Sequence, residues 1–368
     1  MGAGMNRFQA VLNGERLWVP EGAEGLHQAM QSRGIRTGAV FPTSGSSGAP
    51  KYVQLGLTAM KCSALSINQA LAVTEDDVFL RALPDFHVGG FMVGFRAALA
   101  GASLVEYEGN WDPRELVKLI EESATSISSL VPTQLVDLVK AELACPPSLR
   151  AVVIGGARLE ESIANAARAL GWPVLASFGM SEASSQVATQ LPDSGEQMRV
   201  LDHWQLSTDP EDRLILRGPA LFDGYWRRAE SEWQFDPREG DSWCSSDRVE
   251  LVDGGLRPIG RADRIVKILG EQVDLDWLES RVKAFADPSV RDQLILIALP
   301  DLRRGCQLCL VGDCFAGELE SLRQSANSNF DSLHQIGCSY PLSPLPTSSL
   351  GKPMRGEILR QVLSGLEA

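Results

Sequence analysis

Short apolar runs alternate with segments of helical periodicity between residues 79 and 178, and this alternation restricts the possible folds more than any other feature of the sequence. Strands are predicted over residues 79–84, 101–105, 128–131, 149–154 and 174–178. Strands that alternate with helices form a largely parallel sheet whose two faces the helices cover. The predicted fold class is therefore α/β, and ligands are expected where the carboxyl ends of the strands meet.

Glycines and polar side chains are concentrated where these predicted strands end. His87 follows the first strand, Gly155 and Gly156 follow the fourth, and Ser181 and Glu182 follow the fifth. Because the carboxyl ends of parallel strands share one edge of a sheet, the sequence predicts a ligand site along that edge.

A loop rich in hydroxyl groups and glycines, residues 43–51, lies between two strand-like runs and ends with Lys51. Glycines let backbone N–H groups converge on an anion, hydroxyl groups add donors, and lysine adds charge, so such a loop can hold phosphate. It differs from the common P-loop, in which serine or threonine directly follows the lysine and a helix begins. A serine- and glycine-rich segment can also be a simple flexible turn, so this loop alone does not decide the function.

The pattern changes after about residue 190. The strands there have the character of antiparallel sheets, with a tight turn at Asp253 and Gly254. A small α+β pattern follows, with a strand at 265–268, a helix near 275–286 and strands at 294–299 and 307–311. We therefore predict two domains, residues 1–261 and residues 262–368.

Composition and charge argue against several functional classes. The 368 residues carry a formal net charge of −13, which disfavours binding to nucleic acid or to an anionic membrane surface. No apolar run approaches the roughly 18 residues of a membrane span, and residues 1–10 lack the apolar stretch of a signal peptide. Seven scattered cysteines are typical of a reducing compartment, so we expect a cytoplasmic protein.

Taken together, these segments resemble the adenylate-forming superfamily of acyl-CoA synthetases, luciferases and adenylation domains. The resemblance extends from about residue 40 to the C-terminus and implies a large AMP-binding domain and a small mobile domain with a hinge at Asp263. The motifs that carry it, in the order of the family, are the loop 43–51, Pro84-Asp85-Phe86-His87, Phe178-Gly179-Met180-Ser181-Glu182, Ser245-Ser246-Asp247, Gly260-Arg261-Ala262-Asp263, and Gly351-Lys352 with Arg355.

The resemblance also implies the chemistry. Members of the superfamily activate a carboxylic acid by its attack on the α-phosphate of ATP, and a thiol such as that of coenzyme A then displaces AMP. ATP, Mg²⁺ and coenzyme A are thus expected, with a small-molecule acid as the further partner and a homo-oligomer as a possibility. The residues that would bind the nucleotide are Thr43, Ser44, Gly45, Ser46, Ser47, Gly48, Lys51, Gly155, Gly156, Ser177, Phe178, Gly179, Asp247 and Arg261.

The other roles that the resemblance implies concern catalysis, the acid and the thiol. Lys352, Ser181, Glu182 and His87 would be catalytic, and Glu182 would also be the Mg²⁺ ligand. His87, Gly155 and Met180 would line the acyl pocket, and Lys267 and Gly270 would shape the coenzyme A channel. We add Arg96 to the acyl pocket as a hypothesis, because an arginine in an otherwise apolar helix is costly to bury without an anion. The alternative for Arg96 is a surface arginine.

The sequence departs from the family pattern at several places. Phe178 stands for the usual tyrosine, Ser181 for the usual threonine, and Ser246 for the usual glycine before Asp247. Only 42 residues precede Thr43, so a compact form with a shortened N-terminal region is expected. In this region the pattern predicts a hairpin over 8–19 and a helix near 25–33.

The segments 87–90 and 179–189 resemble most the o-succinylbenzoate–CoA ligases of menaquinone synthesis. This resemblance implies o-succinylbenzoate as the acid. Two alternatives remain at this point: a CoA ligase for another aryl or acyl acid, and a nucleotide-binding paralogue without turnover. A luciferase-type oxygenase is a more distant possibility.

Overall fold

A computed structural model describes residues 3–43, 51–191, 197–229, 232–288, 290–348 and 351–367. The hydrophobic cores fall into two groups along the chain. The cores of the first group extend to Leu256, and those of the second group begin at Ile268. We call residues 3–261 the large region and residues 262–367 the small region. The predicted hinge at Asp263 lies at the start of the small region, and its mobility remains a prediction.

The large region contains seven helices and sixteen strands within its described residues. The helices are α1 (Ala3–Leu12), α2 (Leu26–Ser32), α3 (Leu57–Ala70), α4 (Val88–Ala100), α5 (Pro113–Ser123), α6 (Pro132–Lys140) and α7 (Glu161–Ala169). The strands are β1 (Leu17–Trp18), β2 (Gly38–Thr43), β3 (Lys51–Leu55), β4 (Val78–Arg81), β5 (Ser103–Glu106), β6 (Ile127–Leu130), β7 (Ala151–Ile154), β8 (Val174–Met180), β9 (Ser185–Gln190), β10 (Met198–Val200), β11 (Gln205–Thr208), β12 (Arg213–Arg217), β13 (Gly224–Ala229), β14 (Glu232–Pro237), β15 (Ser242–Val252) and β16 (Gly255–Arg261).

An eleven-stranded sheet forms the centre of the large region, in the order β11-β12-β15-β16-β10-β9-β8-β7-β6-β4-β5. The strands β8, β7, β6, β4 and β5 are parallel, as the strand–helix alternation predicts. From β9 onward the neighbours are antiparallel. The predicted α/β class with mixed sheets is confirmed, and within this sheet the parallel pairing is confined to these five strands.

Helices cover both faces of the parallel strands because alternate strand residues face opposite cores. Val153 of β7 packs in a core with α3 and α4, whereas its neighbours Val152 and Ile154 pack in a second core with α5, α6 and α7. A cap also fixes the start of α5, since the Asp112 carboxylate accepts a hydrogen bond from Arg114 N at 2.8 Å, with Pro113 at the first helical position.

A second sheet of the large region has five strands in the order β1-β2-β3-β13-β14. Strands β2 and β3 are antiparallel neighbours, with Thr43 opposite Lys51, so they form the two arms of the hydroxyl-rich loop. The loop positions Ser44, Gly45, Ser46, Ser47 and Gly48 lie outside the described residues.

The prediction of a hairpin over residues 8–19 is wrong for most of that range. Residues 3–12 form α1, because Met5, Phe8, Val11 and Leu12 recur at helical spacing and bury one face in the main core. Only Leu17 and Trp18 form a strand, β1, which pairs in parallel with β2. The helix predicted near 25–33 is confirmed as α2.

The described residues of the small region form a two-stranded and a three-stranded sheet with three α-helices. Its elements are β17 (Ile265–Ile268), β18 (Glu271–Asp274), α8 (Leu275–Ala284), β19 (Leu294–Asp301), β20 (Gly305–Gly312), α9 (Ala316–Asn327), β21 (Ile336–Pro341) and α10 (Arg355–Glu367). The Asp274 carboxylate caps α8 by accepting hydrogen bonds from Asp276 N at 2.9 Å and Trp277 N at 3.0 Å. No helix in the part of the chain that the structure describes has the length and apolar character needed to cross a membrane.

Candidate active site

The carboxyl ends of β7 and β8 form one wall of the candidate site. Strands β7 and β8 are paired in parallel, so Gly155, which follows β7, lies beside Ser177 of β8. A β-carbon on Gly155 would lie 3.8 Å from Ser177 O. A β-carbon on Gly179 would lie only 1.7 Å from Ser185 O, so no residue with a side chain fits there. The surface is therefore open at Gly155, whereas Gly179 allows the close approach of the Ser185 backbone next to the half-buried Phe178.

Lys51, Glu182 and Tyr225 form a polar group beside this wall. Glu182 lies in the short 3₁₀ turn Ser181–Ala183 after β8, and Tyr225 Oη donates a hydrogen bond to Glu182 Oε1 at 2.9 Å. The Lys51 Nζ atom lies 3.9 Å from the centroid of the Tyr225 ring, which is a cation–π contact. Burial lowers the pKa of Lys51, whereas the negative charge of Glu182 raises it. Burial and the nearby Glu182 also raise the pKa of Tyr225 above its ordinary value.

Asp247 and Arg261 face each other across the antiparallel strands β15 and β16. Arg261 Nη1 donates to Asp247 Oδ1 at 3.2 Å, and the other side of the same guanidinium group binds both carboxylate oxygens of Asp263 at 2.9 Å. Burial raises the pKa of Asp247, and the negative charges of Glu182 and Asp263 raise it further. The positive charge of Arg261 lowers it. Asp247 is therefore in electrostatic contact with Glu182 as well as with Asp263.

The small region contributes Lys352 to the same cleft. A tight turn holds Lys352, since Ser348 N donates to Lys352 O at 2.7 Å and Gly351 has a left-handed φ of 71°. A β-carbon on Gly156 would lie 3.7 Å from Lys352 Nζ. The lysine keeps contact with solvent, but the surrounding walls and the charge of Arg261 lower its pKa, with Asp247 opposing.

His87 lies at the start of α4, on the side of the cleft that faces Lys352. Its carbonyl group accepts a hydrogen bond from Phe91 N at 2.9 Å, as expected for a residue that caps a helix. Burial lowers the pKa of His87 and the positive charge of Lys352 lowers it further, so the imidazole is neutral at pH 7.

Arg96 is a buried arginine and not a surface arginine, with 4% of its surface exposed. Its Nη2 atom donates to Ser185 Oγ at 3.2 Å, next to the turn after β8, and Met180 is the sheet partner of Ser185. No carboxylate within the described residues forms an ion pair with Arg96, and its buried Nε atom has no hydrogen-bond partner there. Burial lowers the pKa of Arg96 to about 10.

The structure thus brings most of the predicted site residues together, with one exception among those it describes. Lys267 and Gly270 lie in the β17–β18 hairpin, which packs against the start of β20: Leu269 N donates to Arg304 O at 2.8 Å. One ion pair joins this hairpin to the large region, between Arg248 and Asp274 at 3.7 Å. Lys267 and Gly270 themselves form no hydrogen bond or ion pair with Lys352 or with the large region among the residues that the structure describes.

Sequence reasoning missed Tyr225. Its sequence signal is only a strand-like run after Gly224, and nothing local indicates which residues it meets. Its position follows from the pairing of β13 with β3, in which Arg227 lies opposite Lys51 and Tyr225 opposite Val53. Such a pairing joins residues that are far apart in the chain.

The comparison with protein families agrees with this geometry. Residues 37–226, about half of the chain, match the model of the AMP-binding enzyme family. The chain belongs to this family. The matched range contains both strands that flank the hydroxyl-rich loop, the ends of β7 and β8, and Glu182 with Tyr225.

Within the family, the chain is similar to proteins named 2-succinylbenzoate–CoA ligase. The chain is 30% identical over 337 residues to the probable 2-succinylbenzoate–CoA ligase of Mycobacterium tuberculosis, a match that covers 88% of this chain and 84% of that protein. It is 29% identical over 255 residues to the 2-succinylbenzoate–CoA ligase of Bacillus pumilus, covering 65% of this chain and 51% of that protein. The chain thus spans about half the length of this second relative.

Solved structures share the fold. The o-succinylbenzoate CoA synthetase of Bacillus subtilis in complex with the acyl-adenylate intermediate superposes with a TM-score of 0.73, at 23% identity, over 87% of this chain and 68% of that chain. The same enzyme in complex with ATP and magnesium ion also gives a TM-score of 0.73, at 20% identity, over 98% of this chain and 82% of that chain. The predicted membership of the adenylate-forming superfamily and the predicted resemblance to o-succinylbenzoate–CoA ligases are confirmed.

Proposed function

We propose that this AMP-binding enzyme is an acid–thiol ligase that converts a carboxylic acid, 2-succinylbenzoate, to an acyl adenylate with ATP and then transfers the acyl group to coenzyme A. One observation carries the proposal: Lys51, Arg261 and Lys352 come together in one cleft, although the chain has a net charge of −13. Arg261 is already paired with Asp247 and Asp263. Neither Lys51 nor Lys352 forms an ion pair within the described residues, so a polyanionic ligand such as a triphosphate would supply the partner for these two ammonium groups.

The nucleotide would lie along the strand ends. Asp247 accepts a hydrogen bond and is accessible enough to bind ribose hydroxyl groups, while the open surface at Gly155 would receive the adenine ring. Lys51 and the loop after Thr43 would hold the β- and γ-phosphates. Ser181 would contact the α-phosphate, since its hydroxyl lies at the start of the turn that carries Glu182.

Glu182 fits the proposed Mg²⁺. Hard cations take oxygen ligands, and magnesium in nucleotide sites is usually held by one or two carboxylates together with phosphate oxygens and water. The Tyr225 hydroxyl group holds Glu182 Oε1 in place. The bound ion would neutralise charge on the phosphate oxygens.

The first half-reaction joins the acid to AMP. A carboxylate oxygen forms a bond to the α-phosphorus, the bond to the bridging oxygen breaks, and pyrophosphate leaves. Negative charge shifts to the leaving pyrophosphate, and a fixed ammonium group stabilises charge that develops in such a step. Lys352, which its turn holds at the wall near Gly156, would supply this ammonium group.

The second half-reaction replaces AMP with a thiol. The thiol loses its proton, its sulfur forms a bond to the acyl carbon, and the bond between that carbon and the AMP oxygen breaks. Lys267 and Gly270 lie in the β17–β18 hairpin and form no hydrogen bond or ion pair with Lys352 among the described residues, so we propose that the small region rotates about Asp263 to bring them to the cleft. This motion would remove Lys352 once adenylation is complete.

Arg96 would bind the second carboxylate of the acid. Its guanidinium group is buried next to Ser185, and an ionised carboxylate would supply the partner that the described residues do not. His87 would line the same pocket as a neutral imidazole, with Met180 providing apolar surface.

We propose that the protein functions in the cytoplasm, because its seven scattered cysteines are typical of a reducing compartment.

A panel of acids tests the proposal. Purified protein is incubated with MgATP, coenzyme A and either 2-succinylbenzoate, benzoate or a fatty acid, and AMP and pyrophosphate are measured. We expect turnover with 2-succinylbenzoate, and Arg96→Met should raise its KM about tenfold or more, while Arg96→Lys, which keeps the charge, should raise it less. Turnover of another acid without turnover of 2-succinylbenzoate would refute 2-succinylbenzoate as the substrate. Binding of ATP without pyrophosphate release for any acid would refute the ligase and leave a nucleotide-binding paralogue.

A further inference from the structure

Helix α1 packs directly on α4, the helix that begins at His87 and carries Arg96. The Phe8 ring fills the space at Gly94, where a β-carbon would lie 2.4 Å from a ring atom. Phe8 also packs edge-to-face on Phe91, with ring centroids 5.2 Å apart. One face of α1 therefore fixes the middle of α4.

A second contact of α1 reaches the segment before α4. Arg7 Nη2 lies 2.8 Å from Asp85 Oδ2 and 2.6 Å from Glu106 Oε1, so one guanidinium group joins two carboxylates. Glu106 has a further partner, because Arg81 Nε donates to it at 2.8 Å. Asp85 forms an ion pair with Arg7 alone in the part of the chain that the structure describes.

All four charged side chains of this cluster are mostly buried, with between 12% and 26% of each side chain exposed. Arg7 and Arg81 balance Asp85 and Glu106, so the cluster is neutral as a whole. Without Arg7, two neighbouring carboxylates would share a single cation and would repel each other.

Asp85 precedes His87 by two residues, in the turn whose backbone is closed by a hydrogen bond from His87 N to Pro84 O at 3.3 Å. Displacement of Asp85 would therefore move the imidazole and the first turn of α4. It would also leave an uncompensated negative charge close to the pocket of an acid that is itself an anion.

We propose that Arg7 is a positioning residue for the acid: through Asp85 and Glu106 it fixes the segment that carries His87 and keeps the approach to the acyl pocket neutral. The assignment to the acid rests on the proposed function, whereas the fixing of the segment does not. Arg7 acts through Asp85 and forms no hydrogen bond or ion pair with those nucleotide residues that the structure describes, so the affinity for ATP should not depend on it.

The test compares Arg7→Met with Arg7→Lys and with Arg150→Met in the full chain. Arg150 forms an ion pair with Asp77 at 2.8 Å, at the amino ends of β4 and β7 and thus at the opposite edge of the same sheet. The control therefore removes a comparable ion pair away from His87. Urea unfolding, amide hydrogen exchange at His87 and Phe91, and KM values for 2-succinylbenzoate and ATP are measured for each variant.

We expect Arg7→Met to speed exchange at the two amides about tenfold and to raise the KM for 2-succinylbenzoate about fivefold, with the KM for ATP within about twofold of wild type. Arg7→Lys should restore much of both effects. Arg150→Met should lower stability to a similar extent without changing the exchange rates or the KM for the acid.

Unchanged exchange in Arg7→Met, or equal changes of exchange in Arg7→Met and Arg150→Met, would overturn the positioning role. If exchange changes but the KM for the acid and the KM for ATP rise together, the assignment to the acid is overturned. If wild type turns over no acid, the proposed function fails, and exchange still decides whether Arg7 fixes the segment.

Discussion

Replacing Glu279 with glutamine removes a buried anion that three cations of the small region share. Glu279 is 6% exposed and binds Arg355 at 2.7 and 3.0 Å, Lys283 at 3.1 Å and Arg264 at 3.2 Å. Arg264 follows the proposed hinge residue directly, and Arg355 lies three residues after Lys352. The carboxylate therefore joins the hinge to the segment that holds Lys352.

The pKa of Glu279 gives the magnitude. Burial by itself would raise this pKa, but Arg355, Lys283 and Arg264 outweigh burial and hold it at about 2, below its ordinary 4.5. The difference corresponds to about 3 kcal/mol of folding free energy. Because the folded-state pKa is the lower one, this contribution is complete above about pH 4.5 and is lost as the pH falls toward 2. The glutamine variant should lose about 3 kcal/mol or more at pH 7, since its cations remain buried without their anion.

Fluorine NMR of protein labelled with 5-fluorotryptophan measures this loss. Trp277 is the sole tryptophan after Trp243, so its resonance follows the urea unfolding of the small region. The matched control is Glu320→Gln in the same region. The pKa of Glu320 is also about 2, through its hydrogen bonds with Arg323, but this carboxylate is open to solvent, so its loss should matter much less.

Two results would refute the reasoning about Glu279. One is an equal loss of stability in the two variants, which would mean that burial does not strengthen the Glu279 cluster. The other is a stability difference between wild type and Glu279→Gln that does not shrink as the pH falls from 4.5 toward 2. We also expect pyrophosphate release to fall in Glu279→Gln, because Arg355 anchors the segment that follows Lys352.

Two further changes give separate tests. Lys352→Ala should lower adenylation about 100-fold or more, measured as pyrophosphate release, and should leave the transfer of a supplied acyl adenylate to coenzyme A within about threefold; equal losses in both steps would contradict its role in the first step alone. Gly94→Ala should cost about 1–2 kcal/mol in urea unfolding, because the added methyl group meets the buried Phe8 ring. The double variant with Phe8→Leu should recover part of that loss, and failure to recover would mean that the clash lies elsewhere.

Periodicity in the sequence predicts the parallel strands and the residues at their ends. Glu182 and Gly155 could be placed at a common edge because each follows an apolar run, and the edge forms as soon as those runs pair in parallel. The side chains that complete the site come from segments that are distant in the sequence. Asp247 and Lys352 were placed only through the resemblance to a family, since nothing in the local sequence relates them to β8.

Two failures have a clear physical origin. Residues 8–19 alternate between polar and apolar types well enough to suggest a hairpin, but helical spacing also fits Met5, Phe8, Val11 and Leu12, and burial against α4 selects the helix. Tyr225 was missed because its partner Glu182 lies in a distant turn, which is joined to the segment before β13 by the hydrogen bond from Phe222 N to Glu182 O at 2.9 Å. Short-range patterns do not encode either of these choices.

The contact of Phe8 with Gly94 also has an evolutionary consequence. The space between α1 and α4 holds one aromatic ring or one additional side chain on α4, but not both. In related proteins that keep these two helices, the volumes at positions 8 and 94 should therefore vary in opposite directions. Substitutions that enlarge position 94 should be found together with a smaller residue at position 8, so that the pair changes in step along the lineage.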